Sequence, residues 1–144
     1  MTTMQAQLDS FENPINTYYT KLNGVLTVTP AFAVLEIPTL NITFDLSGIS
    51  SVYLSFTCQA EITAVAGTSS VWFFFAVDGE DVLSPVNRVG NTNGGSTKDF
   101  FSVNLQHVIE NMTAGIHNVT VRVSSESTVN TLSSMTLYVQ TFTP

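Results

Sequence analysis

The feature that most constrains this fold is a strict alternation of apolar and polar side chains at positions 52–62. The apolar members are Val52, Leu54, Phe56, Cys58, Ala60 and Ile62, and most of the positions between them are polar. Successive side chains of a β-strand point to opposite faces of the sheet, whereas a helix repeats every 3.6 residues. The segment is therefore predicted to be a strand with one face on a core.

The same period of two recurs along the chain, and turn residues separate the repeats. Valines alternate with polar residues at 119–123, and further strands are expected near 25–29, 32–37, 40–46, 99–105 and 132–142. The turn pairs between such segments include Asn23-Gly24, Ser47-Gly48, Asp78-Gly79 and Ala114-Gly115. About eight short strands at this spacing predict an all-β, antiparallel sandwich or barrel.

Residues 1–24 lack this period. The segment is interrupted at Asn13-Pro14, where the residue before proline disfavours helix, and its apolar side chains are irregularly spaced: Leu8, Phe11, Ile15, Tyr18 and Tyr19. Without a period these side chains cannot form one core-facing stripe. We therefore predict an N-terminal arm or lead-in at 1–24, whose apolar side chains fill pockets on a neighbouring subunit or on the surface of a larger assembly, and a sandwich domain at 25–144. Removal of the arm is expected to leave the folded domain intact.

Segment 71–77 breaks the alternation because both of its faces are apolar. It reads Val-Trp-Phe-Phe-Phe-Ala-Val, whereas an antiparallel strand normally turns one face to water. A large exposed apolar patch marks an interaction site, so Trp72 and Phe74 are expected to contact another subunit. Cover by a loop or by the arm of the same chain is the alternative. Tyr138 and Phe142, on one face of the last predicted strand, complete the expected interface.

Composition and charge exclude several classes of partner. The chain has four basic and eleven acidic residues, a net charge of −7, and its scattered cations form no patch for a phosphate backbone. No nucleic-acid partner is therefore expected. An acidic surface is also repelled by anionic lipid headgroups, and the chain lacks a long apolar run and a signal-peptide pattern. No membrane partner is expected either.

Few residues offer catalytic or metal chemistry. His107 and His117 are each expected at a strand end or turn, with the His117 ring bonding a turn, and no nucleophile-elbow or phosphate-binding glycine motif occurs. Cys58 shares the core register, so its thiol is expected to be buried and inert. The acidic residues at 78–81 could supply oxygen ligands to calcium, but Asp-Gly between apolar runs is first a hairpin turn. We predict a non-enzymatic protein without metal or cofactor.

Three stretches resemble the jelly-roll modules of phage and other virion proteins, and the globular heads of the tumour-necrosis-factor and complement type. They are a proline followed by an alternating strand at 37–44, a strand with a Val-Asp-Gly hairpin at 75–79, and a turn-strand at 112–121. The last matches L-x-A-G-x-H-x-V-x-V except that Met112 replaces leucine, and this pattern also occurs in carbohydrate-binding modules. The resemblance implies an antiparallel jelly-roll β-sandwich that often trimerises around aromatic strand faces.

Two functions from different classes follow from these observations. The first is a virion structural protein, of the capsid decoration or fibre-head type, that forms a homo-oligomer, expected to be a trimer, and contacts other virion proteins. The second is a carbohydrate- or receptor-binding module on a fibre or on a cell surface. The first function implies a location in the virion, and the alternative location is extracellular or at the cell surface. Sugar sites stack rings on exposed aromatics, and the single tryptophan, Trp72, lies in a predicted packing strand, which favours the first.

Overall fold

The computed structural model describes residues 15–28, 34–63, 69–91, 98–125 and 130–142. The regular structure in these ranges consists of nine strands: β1 (Ile15–Leu22), β2 (Leu26–Val28), β3 (Leu35–Leu46), β4 (Ser50–Thr63), β5 (Ser69–Val77), β6 (Glu80–Asn91), β7 (Lys98–Met112), β8 (Gly115–Ser125) and β9 (Asn130–Phe142). Leu8 and Phe11 of the predicted arm lie outside the described residues. The described part of the chain contains no helix suited to crossing a membrane.

The strands form two antiparallel sheets. The order in the larger sheet is β1-β9-β4-β7, with β2 also paired to β9, and the order in the smaller sheet is β3-β8-β5-β6. From β2 onward each strand lies in the sheet opposite to that of its predecessor, except that β6 follows β5 in a hairpin. This alternation between two four-position sheets is the jelly-roll arrangement. The predicted all-β sandwich is confirmed.

β1 and β2 share a single position in the larger sheet, beside opposite ends of β9. β1 pairs with residues 135–142 and β2 with residues 130–132. Nine strands thus occupy eight positions, in agreement with the expected number. The boundary predicted between residues 24 and 25 falls inside this edge position, so the sandwich already includes Ile15. Alternation was weak there because an edge strand has few side chains that face the core.

The core lies between the sheets and takes its largest side chains from the central strands. All six apolar residues of the alternating run in β4 are buried. The Phe56 ring of β4 lies 5.6 Å from the Phe73 ring of β5, centroid to centroid, which joins the two sheets. Burial raises the pKa of the Cys58 thiol to about 12, so the thiolate is disfavoured at neutral pH.

β5 is buried on both faces. Phe73 and Phe75 belong to the core between the sheets, whereas Phe74 points to the other side and is still only 6% exposed in the single chain. Arg122 of β8 lies opposite Phe74, and Trp72 on the same side is half-buried. The same chain therefore already covers the Phe74 side chain, as the alternative of cover within the chain expects. The expected contact of Trp72 and Phe74 with another subunit stays a prediction.

Candidate functional site

The outer face of the larger sheet brings together residues that were predicted for the N-terminal arm and residues that were predicted for the subunit interface. Ile15 and Tyr19 of β1 lie directly opposite Phe142 and Tyr138 of β9, respectively. Tyr19 is 66% exposed, Ile15 46% and Phe142 39%, while Tyr138 is half-buried. We call these four side chains the outer patch. Facing pairs of this kind stabilise a sheet by only about 0.2–1 kcal/mol, so pairing between β1 and β9 accounts for little of this exposed surface.

Tyr18 behaves differently from its neighbour Tyr19. It lies opposite Val139, a core residue, and its ring centroid is 6.0 Å from that of Phe44 in the smaller sheet. Tyr18 therefore packs against the core of its own domain. β1 alternates and Tyr18 occupies its inward side, so the contact of Tyr18 with another subunit, predicted for the arm, has no support in the single chain and stays a prediction.

Two side chains that the sequence interpretation did not single out extend this surface. Tyr53 of β4 and Val108 of β7 are paired on the same face, and Val108 is 54% exposed. The signal for Tyr53 was present in the alternating run, where it is an aromatic side chain at a position that should face water. No sequence pattern singled out Val108, because the face of the sheet on which it lies depends on the register between β7 and β4.

A shallow depression of about 300 Å³ lies on the same face. Its lining consists of Thr57, Cys58 and Gln59 from β4, Ser102, Val103 and Asn104 from β7, and Ser134 from β9. A β-bulge lies beside the depression: two steps along β4, from Thr57 to Gln59, match three steps along β9. Ser134 in the bulge has a φ of 51°, a left-handed conformation that is uncommon outside glycine.

A separate polar cluster joins two turns beside the smaller sheet. Nδ1 of His117 lies 2.7 Å from Oδ2 of Asp78 in the β5–β6 turn, and Nε2 lies 2.7 Å from the carbonyl oxygen of Thr113. Both partners accept hydrogen bonds, so both ring nitrogens have to donate, and the imidazolium form fits this geometry best. The expected structural role of His117, in which its ring bonds a turn, agrees with this geometry.

Electrostatics in this cluster favour the charged forms of both residues. The hydrogen bond to Asp78 raises the pKa of His117, burial opposes the rise, and the bond to Thr113 and the charges of Asp78 and Asp45 add to it. Burial raises the pKa of Asp78, but hydrogen bonds from His117 and from the Asn118 backbone outweigh it, so the net shift is downward. The pair therefore acts as an ionic clamp between the turns.

The remaining polar groups nearby are also engaged within the chain. The backbone N–H of Asn118 donates to Oδ1 of Asp78 at 2.9 Å, and its side-chain amide donates to Asn41 and to Thr43. Arg122 forms an ion pair with Asp81. Within the described ranges, no group of three or more His, Cys, Asp or Glu side chains is arranged to hold a metal ion. Asp78 and Asp81 of the acidic turn therefore bond to another strand of the same chain, which stabilises the fold.

We expect the clamp to make stability depend on pH. Its contribution is complete between the ordinary pKa values of Asp78 and His117, 3.8 and 6.5, and is lost as the pH rises through the raised pKa of His117. Because Asp78 is about half exposed, we expect a loss of only about 1 kcal/mol in the free energy of unfolding. Urea unfolding at pH values below and above neutrality measures this loss. A His117→Asn variant should flatten the profile, and an unchanged profile contradicts the clamp.

Comparison with known proteins identifies the fold but not a family. No family model and no curated protein matches this sequence. A chain in the structure of infectious bursal disease virus, Gx strain, is 13% identical, with a TM-score of 0.52 over 89% of this chain and 33% of that chain. The VP2 protein of the same virus in derived T=1 particles is 15% identical, with a TM-score of 0.50 over 88% and 31%.

These similarities establish a shared sandwich fold. This chain spans about a third of the length of each of the two viral chains, so it corresponds to one part of a larger protein there. At such low identity the comparison does not transfer site residues or activity.

Proposed function

We propose that this protein is a non-enzymatic structural module of the virion type, which assembles as a homo-oligomer through the outer patch of the larger sheet. The expected oligomer is a trimer. The expected type of virion protein is a capsid decoration protein or a fibre head, which contacts other virion proteins. The observation that carries the proposal is the pairing of Ile15 with Phe142 and of Tyr19 with Tyr138 on one exposed sheet face.

The chemistry of this face favours contact with protein. Tyrosine and phenylalanine are enriched at interfaces because a large ring excludes water at a low cost in side-chain entropy. Lys21, whose ammonium lies 5.8 Å from the centre of the Tyr19 ring, is a charged neighbour of the patch. With a net charge of −7, copies of the chain repel one another, so they are expected to associate where acidic side chains are sparse.

Two further observations support a structural role over an enzymatic one. Both ring nitrogens of His117 are bonded to Asp78 and Thr113, which leaves neither as a base for a substrate. Cys58 is buried and its raised pKa disfavours a nucleophilic thiolate. The shared fold with proteins of viral particles supports a location in the virion.

The oligomeric state tests this proposal. Light scattering of the full-length wild type should give about three times the chain mass, and Phe142→Asp should shift the particle to the monomer mass, because an exposed carboxylate resists desolvation. Leu83→Asp is the matched control, since Leu83 is an apolar residue of the smaller sheet that is 67% exposed. A monomeric wild type, or equal dissociation of both variants, contradicts assembly through the outer patch.

Binding of a carbohydrate or receptor is the second candidate. Such a module needs a recessed site that offers polar groups next to exposed rings. The depression at the β9 bulge lies on the same sheet face as Tyr138, and this observation favours the second candidate. The lining residues of the depression lie outside the outer patch, and the two surfaces meet at Tyr138 of β9.

A further inference from the structure

We propose that the depression at the β9 bulge is a binding site for a neutral saccharide. The inference rests on the second of the two functions, carbohydrate binding. The residues that line the depression lie outside the outer patch, and Tyr138 alone belongs to the patch and flanks the depression. It follows from three properties of the site: its shape, the chemistry of its lining and the rings on either side of it.

The shape is built into the backbone. The extra residue of β9 interrupts the regular pairing with β4, and Ser134 adopts a left-handed conformation there. Such a conformation costs a non-glycine residue about 1–3 kcal/mol, and strain of this kind clusters at functional sites. The volume of about 300 Å³ lies at the lower end of the range for small-ligand sites. One sugar ring of a chain lying across the sheet fits this scale.

The polar lining consists of hydroxyl and amide groups: Thr57, Gln59, Ser102, Asn104 and Ser134. Hydroxyl and amide groups both donate and accept hydrogen bonds, and so do the hydroxyls of a sugar. None of the lining residues carries a charge, although acidic residues outnumber basic ones in the chain. An anionic or cationic ligand would find no counter-charge in this lining, whereas a neutral polyhydroxyl ligand needs none.

Aromatic side chains flank the depression at both ends. On β7, Phe100 lies two residues before Ser102 on the same face, a separation of roughly 7 Å, and is 72% exposed. At the other end, Tyr138 lies opposite Ser55, two residues before Thr57 on β4. Rings at both ends of a polar recess supply apolar surface for the C–H faces of successive sugar units. This arrangement suits an oligosaccharide better than a single sugar.

Titration of the full-length protein with neutral oligosaccharides, followed by amide chemical shifts, tests the inference. Cello-, malto- and chito-oligosaccharides are the probes. We expect shift changes at 57–59, 100–104 and 133–136, and a loss of affinity of at least about tenfold in Gln59→Ala and in Phe100→Ala. Leu83→Ala, at an exposed apolar residue of the smaller sheet, is the control and should bind like wild type.

The outcomes separate this site from both proposed functions. No shift change with any probe at about 10 mM overturns the inference and the carbohydrate-binding function together. Binding that is unaffected by Gln59→Ala and Phe100→Ala overturns this site but keeps the function. Saccharide binding that is retained by the Phe142→Asp variant supports a site that does not require assembly. If the wild type is monomeric, assembly through the outer patch is contradicted, but the titration still tests the saccharide site.

Discussion

Replacing Phe74 by Asp is expected to unfold the domain or to lower its free energy of unfolding by about 3 kcal/mol or more. Phe74 is only 6% exposed, on the side of β5 that faces away from the inter-sheet core, and it lies beside Arg122. A carboxylate at this position loses its hydration, and a single partly exposed guanidinium that is already paired with Asp81 does not restore it. Urea unfolding measures the effect.

The same chemical change at Phe142 provides the contrast. Phe142 is 39% exposed at the end of β9, so Phe142→Asp should change the free energy of unfolding by less than about 1 kcal/mol while it disrupts assembly. Phe74→Leu, which keeps an apolar side chain, should cost only about 1–2 kcal/mol. If Phe74→Asp melts like the wild type, the outer side of β5 is open to water.

Deletion of residues 1–22 is expected to lower the free energy of unfolding of the domain by about 2–4 kcal/mol, whereas the sequence alone predicts a domain that stays intact without residues 1–24. The deletion removes β1, which pairs with eight residues of β9. It also removes Tyr18, packed against Phe44, and the hydrogen bond of 3.0 Å from the Thr20 hydroxyl to the Thr39 carbonyl. Burial of an apolar side chain contributes about 1.5–3 kcal/mol when complete, and Tyr18 and Leu22 are partly buried.

Deletion of residues 1–14 is the matched comparison. It leaves β1 in place, so the melting temperature should stay close to that of the full chain. The unpaired edge of β9 in the longer deletion should also promote association of β-strands, which turbidity on heating detects. Equal melting temperatures for the two truncations would mean that β1 adds nothing to the sandwich, as the sequence alone had suggested.

Parts of the site were predictable and parts were not. Tyr138 and Phe142 were assigned to one face of the last strand, as part of a subunit interface, because the period of two separates the faces of a strand. Ile15 and Tyr19 were named as candidates but assigned to a detached arm, since an edge strand with few inward residues has little period. The depression was not foreseen, because a bulge arises from the register of β9 against β4, and neither strand carries glycine there.

By itself, the sequence determined the fold class. Alternation in β4 and β8, with turns between short segments, requires sheets with one face on a common core, and that requirement is local. Only the tertiary structure decided which strands are neighbours. Strand pairing joins residues far apart in the chain, such as Tyr19 and Tyr138, and buries Phe74 beneath neighbours that no local pattern names. Exposure is a property of the packed sheets. The doubly apolar strand β5 is therefore covered at Phe74, whereas the segment without a clear period contributes Ile15 and Tyr19 to the exposed outer patch.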